Sequence, residues 1–162
     1  MRSAGEAVAV VGLDIIVEMA LPTLDDWTWA HEIHGQVIGG WVATPIPTVI
    51  AEGTETQAEV EQVLRHVASD VSVLRVLLVT QYESALRRAT ADPTRGVSKE
   101  PDFLAKMYQR FNDELPGMAY DLRLDSEESS TAVLAARVVA ALKLGRTVIH
   151  SAPPPSLFSL PR

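Results

Sequence analysis

Val8-Ala9-Val10-Val11-Gly12-Leu13-Asp14 is a continuous, largely β-branched run that ends on a carboxylate. Apolar residues at both alternating positions predict a strand covered on both faces, which is the signature of a parallel sheet. Similar runs recur along the chain at Thr48–Ala51 and Val73–Val79, and Tyr120–Leu124 reads as a fourth strand ending in Asp125. Helical patterns separate them. Thr23 is placed to cap a helix reaching about Val42, with Asp25 and Asp26 in its first turn and Trp27, Ile33, Val37 and Trp41 along it. Gly35, Gly39 and Gly40 weaken that helix and imply close packing or a kink. Thr54 or Thr56 opens the next helix, with Val60, Val63, Leu64 and Val67 at helical spacing.

Ser84–Ala91 continues as a short helix stopped by Asp92-Pro93. Pro101 begins another, carrying Phe103, Leu104, Met107, Tyr108 and Phe111 along one side. Ser129 or Ser130 caps a last helix to about Leu144, driven by Val133, Leu134, Val138 and Leu142, and Thr147–Ile149 can extend the sheet. Strands alternating with helices predict one three-layer α/β domain with a parallel sheet, covering 1–150, and a Pro/Ser-rich tail, 151–162.

The 162 residues are 47% hydrophobic, enough for a core, and carry a net charge of −7, which disfavours nucleic acid and anionic membranes as partners. The absence of cysteine excludes disulfides and thiolate metal sites and predicts a cytoplasmic protein. Ala7–Val17 carries Asp14 and is too short to span a bilayer, and no basic segment precedes it as in a signal peptide.

Ligands of parallel sheets bind at the carboxyl ends of the strands, where this chain places Asp14, Glu52, Thr80-Gln81 and Asp125. Each could be an ordinary helix cap; together with basic residues from a later loop they form a candidate site. His31 and His34, three apart on a helix, lack the His-Glu-x-x-His pattern and a third ligand, so a surface or substrate-cleft pair is expected rather than a metal site. Core packing is expected for at least two of Trp27, Trp29 and Trp41. Arg87 can pair with Glu83 or reach a phosphate.

Gly12-Leu-Asp14-Ile-Ile-Val-Glu18-Met-Ala-Leu-Pro22 resembles the second strand of chloramphenicol phosphotransferase-like P-loop kinases. Thr48-Val-Ile-Ala-Glu52-Gly53 is similar to their Walker-B-like strand. Leu86-Arg87-Arg88 and Asp92-Pro-Thr-Arg95-Gly, followed by Pro101-Asp-Phe-Leu104, resemble the mobile lid, and Tyr120-Asp-Leu-Arg-Leu-Asp125 the strand on the adenine side.

The resemblance covers Val8 to Leu144 and implies transfer of the ATP γ-phosphate to the hydroxyl of a small-molecule acceptor. It makes Asp14 the base, Arg88 and Arg95 the phosphate-facing pair, Glu52 a ligand of Mg2+ through water, and Asp125 part of the nucleotide site. The family's first strand, phosphate loop and helix have no counterpart. The sequence contains no Gly-x-x-x-x-Gly-Lys-Ser/Thr, and only Met1–Ala7 precedes the first matching strand. In the family that strand lies between those matched by Thr48–Ala51 and Val73–Val79. Three outcomes are open: the two strands pair directly, their edges recruit another chain as in a homodimer, or the true start lies upstream of Met1. The alternative function is a non-catalytic remnant acting as an interaction or oligomeric scaffold.

Overall fold

The structure, a computed structural model, describes residues 7–20, 26–53, 56–93 and 99–143. It is mixed α/β with short parallel strands, and the chain divides into two compact units, Met1–Ser72 and Val73–Arg162.

In the first unit, β1 (Val8–Gly12) leads into a short helix α1 (Leu13–Glu18) and then α2 (Thr28–Val42). The chain returns as β2 (Thr48–Glu52) and continues into α3 (Gln57–Leu64). β1 and β2 pair in parallel, with Val8 opposite Thr48 and Gly12 opposite Glu52. Ala9 and Val11 are buried, whereas Val8 and Val10 are exposed, so β1 is covered on one face only.

Two apolar clusters hold the unit together. Leu13, Ile16, Val17 and Ala30 join α1 to α2, and Val11, Ile38 and Val63 join β1, α2 and α3. Of the two expected starts of α3, Thr56 is the cap, and Thr54 lies outside the described residues. Thr56 accepts from the Glu59 backbone N–H at 3.3 Å, and the Glu59 carboxylate accepts from the Thr56 N–H at 3.0 Å, a reciprocal capping box.

Two expectations for this unit are corrected. The first strand ends at Gly12 and α1 begins at Leu13, because Leu13, Ile16 and Val17 bury a helical stripe that the apolar run disguised as strand. The following helix starts at Thr28, later than expected. Asp26 lies before it and accepts hydrogen bonds from the Thr28 N–H at 2.8 Å and hydroxyl at 2.6 Å. Thr23, the expected cap, lies outside the described residues, as does Asp25.

In the second unit, β3 (Val76–Val79) is followed by α4 (Tyr82–Ala91), α5 (Pro101–Glu114) and a 3-10 turn at Leu115–Gly117. β4 (Leu122–Asp125) then pairs in parallel with β3, and α6 (Thr131–Lys143) follows. The Asp121 carboxylate accepts from the Arg75 backbone N–H at 2.7 Å, while the Arg75 carbonyl accepts from the N–H groups of Asp121 and Leu122, fixing where this pairing begins. Leu77, Ala89, Leu124 and Leu134 form its buried apolar positions.

The described strands therefore make two two-stranded sheets, β1–β2 and β3–β4, where a single sheet was expected. Direct pairing of Thr48–Ala51 with Val73–Val79 does not occur among the described residues. Thr147–Ile149 and the tail 151–162 fall outside them.

Candidate functional site at the carboxyl strand ends

Parallel pairing sets the strand ends of each unit side by side. In the first unit, Glu52 is the register partner of Gly12, and Asp14 follows two residues later in the first turn of α1. The Glu52 carboxylate lies over Gly12: a Cβ there would sit 2.8 Å from Glu52 Oε1. Gly53 then takes φ 103°, and any Cβ would press on Leu13 at 2.6 Å, so only glycine turns the chain here without strain. Asp14 and Glu52 are both exposed.

The second unit gathers a denser polar group around Glu127. Its carboxylate accepts hydrogen bonds from the hydroxyls of Thr80 and Ser84, the latter at 3.0 Å, and lies 3.8 Å from Arg88 Nη2. Hydrogen bonding by Thr80 and then Ser84 lowers the Glu127 carboxyl below its ordinary value. Arg88 also donates to the Ser126 hydroxyl at 3.0 Å and remains 56% exposed, which leaves N–H groups facing water. Asp125 Oδ1 accepts the Glu127 backbone N–H at 2.9 Å.

Beside them, Tyr82 and Tyr108 stack edge to face with ring centroids 5.5 Å apart, tying α4 to α5. Burial raises the Tyr108 hydroxyl, against the opposing field of Arg88. A shallow cavity of about 430 Å³ along α4 is lined by Glu83, Leu86, Arg87, Thr90 and Ala91.

Arg88 and Asp125 are thus brought to one strand edge, and Asp14 and Glu52 to another, in separate units. Arg95 lies outside the described residues. Arg87, expected to meet Glu83 or phosphate, instead donates to the Ser84 hydroxyl at 2.9 Å. Glu127 and Ser126 were missed in the sequence reading, which singled out Asp125 at the strand end and passed from it to the cap at Ser129 or Ser130. The distance of Glu127, two residues beyond the strand, was the available signal.

The histidine expectation is overturned. His31 and His34 are buried, because the α2 face that carries them packs inward; His34 Nε2 donates to the Val11 carbonyl at 3.0 Å, and His31 Nδ1 to the Trp27 carbonyl at 3.0 Å. Only Trp29 of the three tryptophans packs against a core cluster, whereas Trp27 and Trp41 are exposed, correcting the expectation of two core rings. Among the described residues, no group of three or more His, Cys, Asp or Glu is arranged to hold a metal ion, and no helix is long and apolar enough to cross a membrane. Comparison with family models, curated proteins and solved structures returns no match.

Proposed function

We propose that this chain is a P-loop-kinase-like protein, related to cytoplasmic ATP-dependent phosphotransferases that act on a small-molecule hydroxyl. The observation that carries the reading is the pairing order. β1 pairs with β2 and β3 with β4, both in parallel, and among the described residues β2 and β3 do not pair. Parallel pairing within each pair, with helices between the strands, supports a three-layer α/β sheet. In this reading Asp14 accepts the hydroxyl proton, and Arg88 and Arg95 neutralise phosphate oxygens through the planar guanidinium fork. Asp125 lies on the nucleotide side. Glu52 suits Mg2+, which keeps most of its waters and takes few protein ligands, so the lack of a larger acidic group is no obstacle.

These residues hold no loop amides and lysine to orient the β- and γ-phosphates, so binding and transfer separate. Calorimetric titration with ATP and Mg2+ should show weak binding, reduced roughly ten- to hundredfold in Arg95→Ala by loss of a charge-assisted pair. Assays with hydroxylated acceptors should show no turnover by the 162 residues alone. Identical titrations for wild type and Arg95→Ala would remove the lid assignment.

A second reading, an interaction scaffold, is favoured by the exposed Val8, Val10 and Ile50 of the first sheet and Leu78 of the second. Parallel sheets are ordinarily covered on both faces. A dimer in sedimentation that ATP neither forms nor disperses would select it.

A further inference from the structure

The groups around the Glu127 carboxylate all donate to it. Ser84 and Arg88 are one turn apart on α4, a spacing that puts hydroxyl and guanidinium on the same helix face. Arg87 donates to the Ser84 oxygen at 2.9 Å, which commits the single Ser84 proton to Glu127 Oε2 at 3.0 Å. The Thr80 hydroxyl donates to the other carboxylate oxygen, and a hydrogen bond from the Gln81 backbone N–H adds to these. Thr80, Gln81, Ser84 and Arg88 thus form a cradle for a group that only accepts.

The carboxylate fills that cradle imperfectly. Arg88 Nη2 stops 3.8 Å from Glu127 Oε1, an ion pair beyond hydrogen-bond reach, and the guanidinium stays 56% exposed. The two carboxylate oxygens are already taken by the hydroxyls. A phosphate group offers further oxygens at tetrahedral angles, so it can keep both hydroxyls and also meet the planar fork of Arg88. The resident side chain is also free to leave. Glu127 lies on the turn after β4, its side chain is 29% exposed, and the turn is held without its carboxylate. The Ser126 N–H donates to the Val79 carbonyl at 2.9 Å, and the Glu127 N–H to Asp125 Oδ1 at 2.9 Å.

We infer that the cradle of Thr80, Gln81, Ser84 and Arg88 is a phosphate-binding site whose place is held in this structure by the Glu127 carboxylate, which an incoming phosphate group displaces. The inference rests on the reading of Arg88 as a phosphate-facing residue and adds a regulation of that site: the chain carries its own competitor. A phosphate monoester carries about −1.5 to −2 charge near pH 7, more than a carboxylate, so it outcompetes Glu127 where a carboxylate ligand does not.

The test is calorimetric titration of the full chain with inorganic phosphate, comparing wild type, Glu127→Gln and the double variant Glu127→Gln/Arg88→Ala. Glutamine keeps an acceptor oxygen for the hydroxyls and removes the charge that competes for Arg88. Glu127→Gln should bind phosphate about tenfold more tightly than wild type, the size expected when a unit charge 3.8 Å from the guanidinium is removed in partly exposed surroundings. The double variant should fall back to the wild-type affinity or below it. The amide signals of Gln81 and Ser84 should shift with phosphate and saturate with it. Equal phosphate affinity in wild type and Glu127→Gln, or a gain that survives Arg88→Ala, would overturn the inference. A parallel titration with ATP separates it from the reading it rests on. Tighter phosphate binding by Glu127→Gln with no ATP binding by either protein upholds the cradle and counts against a phosphotransferase. ATP binding by wild type that Glu127→Gln leaves unchanged removes the cradle and not the phosphotransferase.

Discussion

Adjacent glycines on α2 should respond to the same substitution with opposite signs. Gly39 lies under the end of α3: an added Cβ would run into the backbone carbonyl oxygen of His66 and come within 3.4 Å of its Cβ. Gly40 has nothing within 4 Å of the same added atom. Alanine at either position gains about 0.4–1 kcal/mol by restricting the unfolded chain and favouring helix. At Gly40 that gain is the whole effect. At Gly39 the obstacle is backbone rather than a side-chain tip, so the helices must separate, at an overpacking cost of about 1–3 kcal/mol. The net expectation is stabilisation of about 0.4–1 kcal/mol for Gly40→Ala and destabilisation of up to about 2.6 kcal/mol for Gly39→Ala. In a unit of this size each kcal/mol moves the melting temperature by about 4–8 °C, so the two variants separate clearly. Urea denaturation followed by far-ultraviolet dichroism measures both. Equal stabilisation by the two substitutions would mean that α3 does not approach α2 at Gly39.

Other expectations are shorter. Thr56→Ala removes one half of the capping box and should cost about 0.5–2 kcal/mol in the same denaturation assay, whereas Thr56→Ser should restore most of it. Leu13, 2% exposed between α1 and α2, should cost about 2–5 kcal/mol on truncation to alanine, read as a lower urea midpoint. The lowered carboxyl of Glu127 adds stability above its ordinary value of 4.5, and this is lost as pH falls through the lowered folded value. Melting of Glu127→Gln against wild type between about pH 3 and 6 should therefore show a wild-type advantage that disappears in acid.

What could be read in advance follows the range of the interactions. The capping box spans three residues, Thr56 to Glu59, and Thr56 was legible as one of two possible helix starts before any tertiary information. Three of the four strand runs were legible because β-branched residues crowd together in them, whereas Tyr120–Leu124 holds none and alternates only Leu with charged residues. Their ends were not: β1 stops at Gly12 because Leu13, Ile16 and Val17 are recruited by Ala30 and Trp29 of α2, a contact no local pattern displays. Burial of His34 depends on the Val11 carbonyl, 23 residues back along the chain, and the Glu127 cluster depends on Thr80 and Ser84, 47 and 43 residues away. Polar residues at such separations announce their type and not their partner.

The division into two sheets has a physical consequence for the candidate site. A two-stranded parallel sheet has free backbone groups along both outer edges, and isolated pairs of strands are marginal in water. In the first unit, packing on α2 and α3 compensates on one face, where Val11, Ile38 and Val63 meet. The other face leaves Val8, Val10 and Ile50 in solvent. In the second unit Leu124 is buried while Leu78, its register partner on β3, stays 61% exposed. Both strand-end clusters, Asp14 with Glu52 and Arg88 with Glu127, therefore sit on sheets whose covering is one-sided. A partner strand or covering layer would order each sheet and the side chains at its own strand ends. Association and ligand binding should accordingly be measured on the same preparation: binding that tightens with protein concentration would show that the two are coupled.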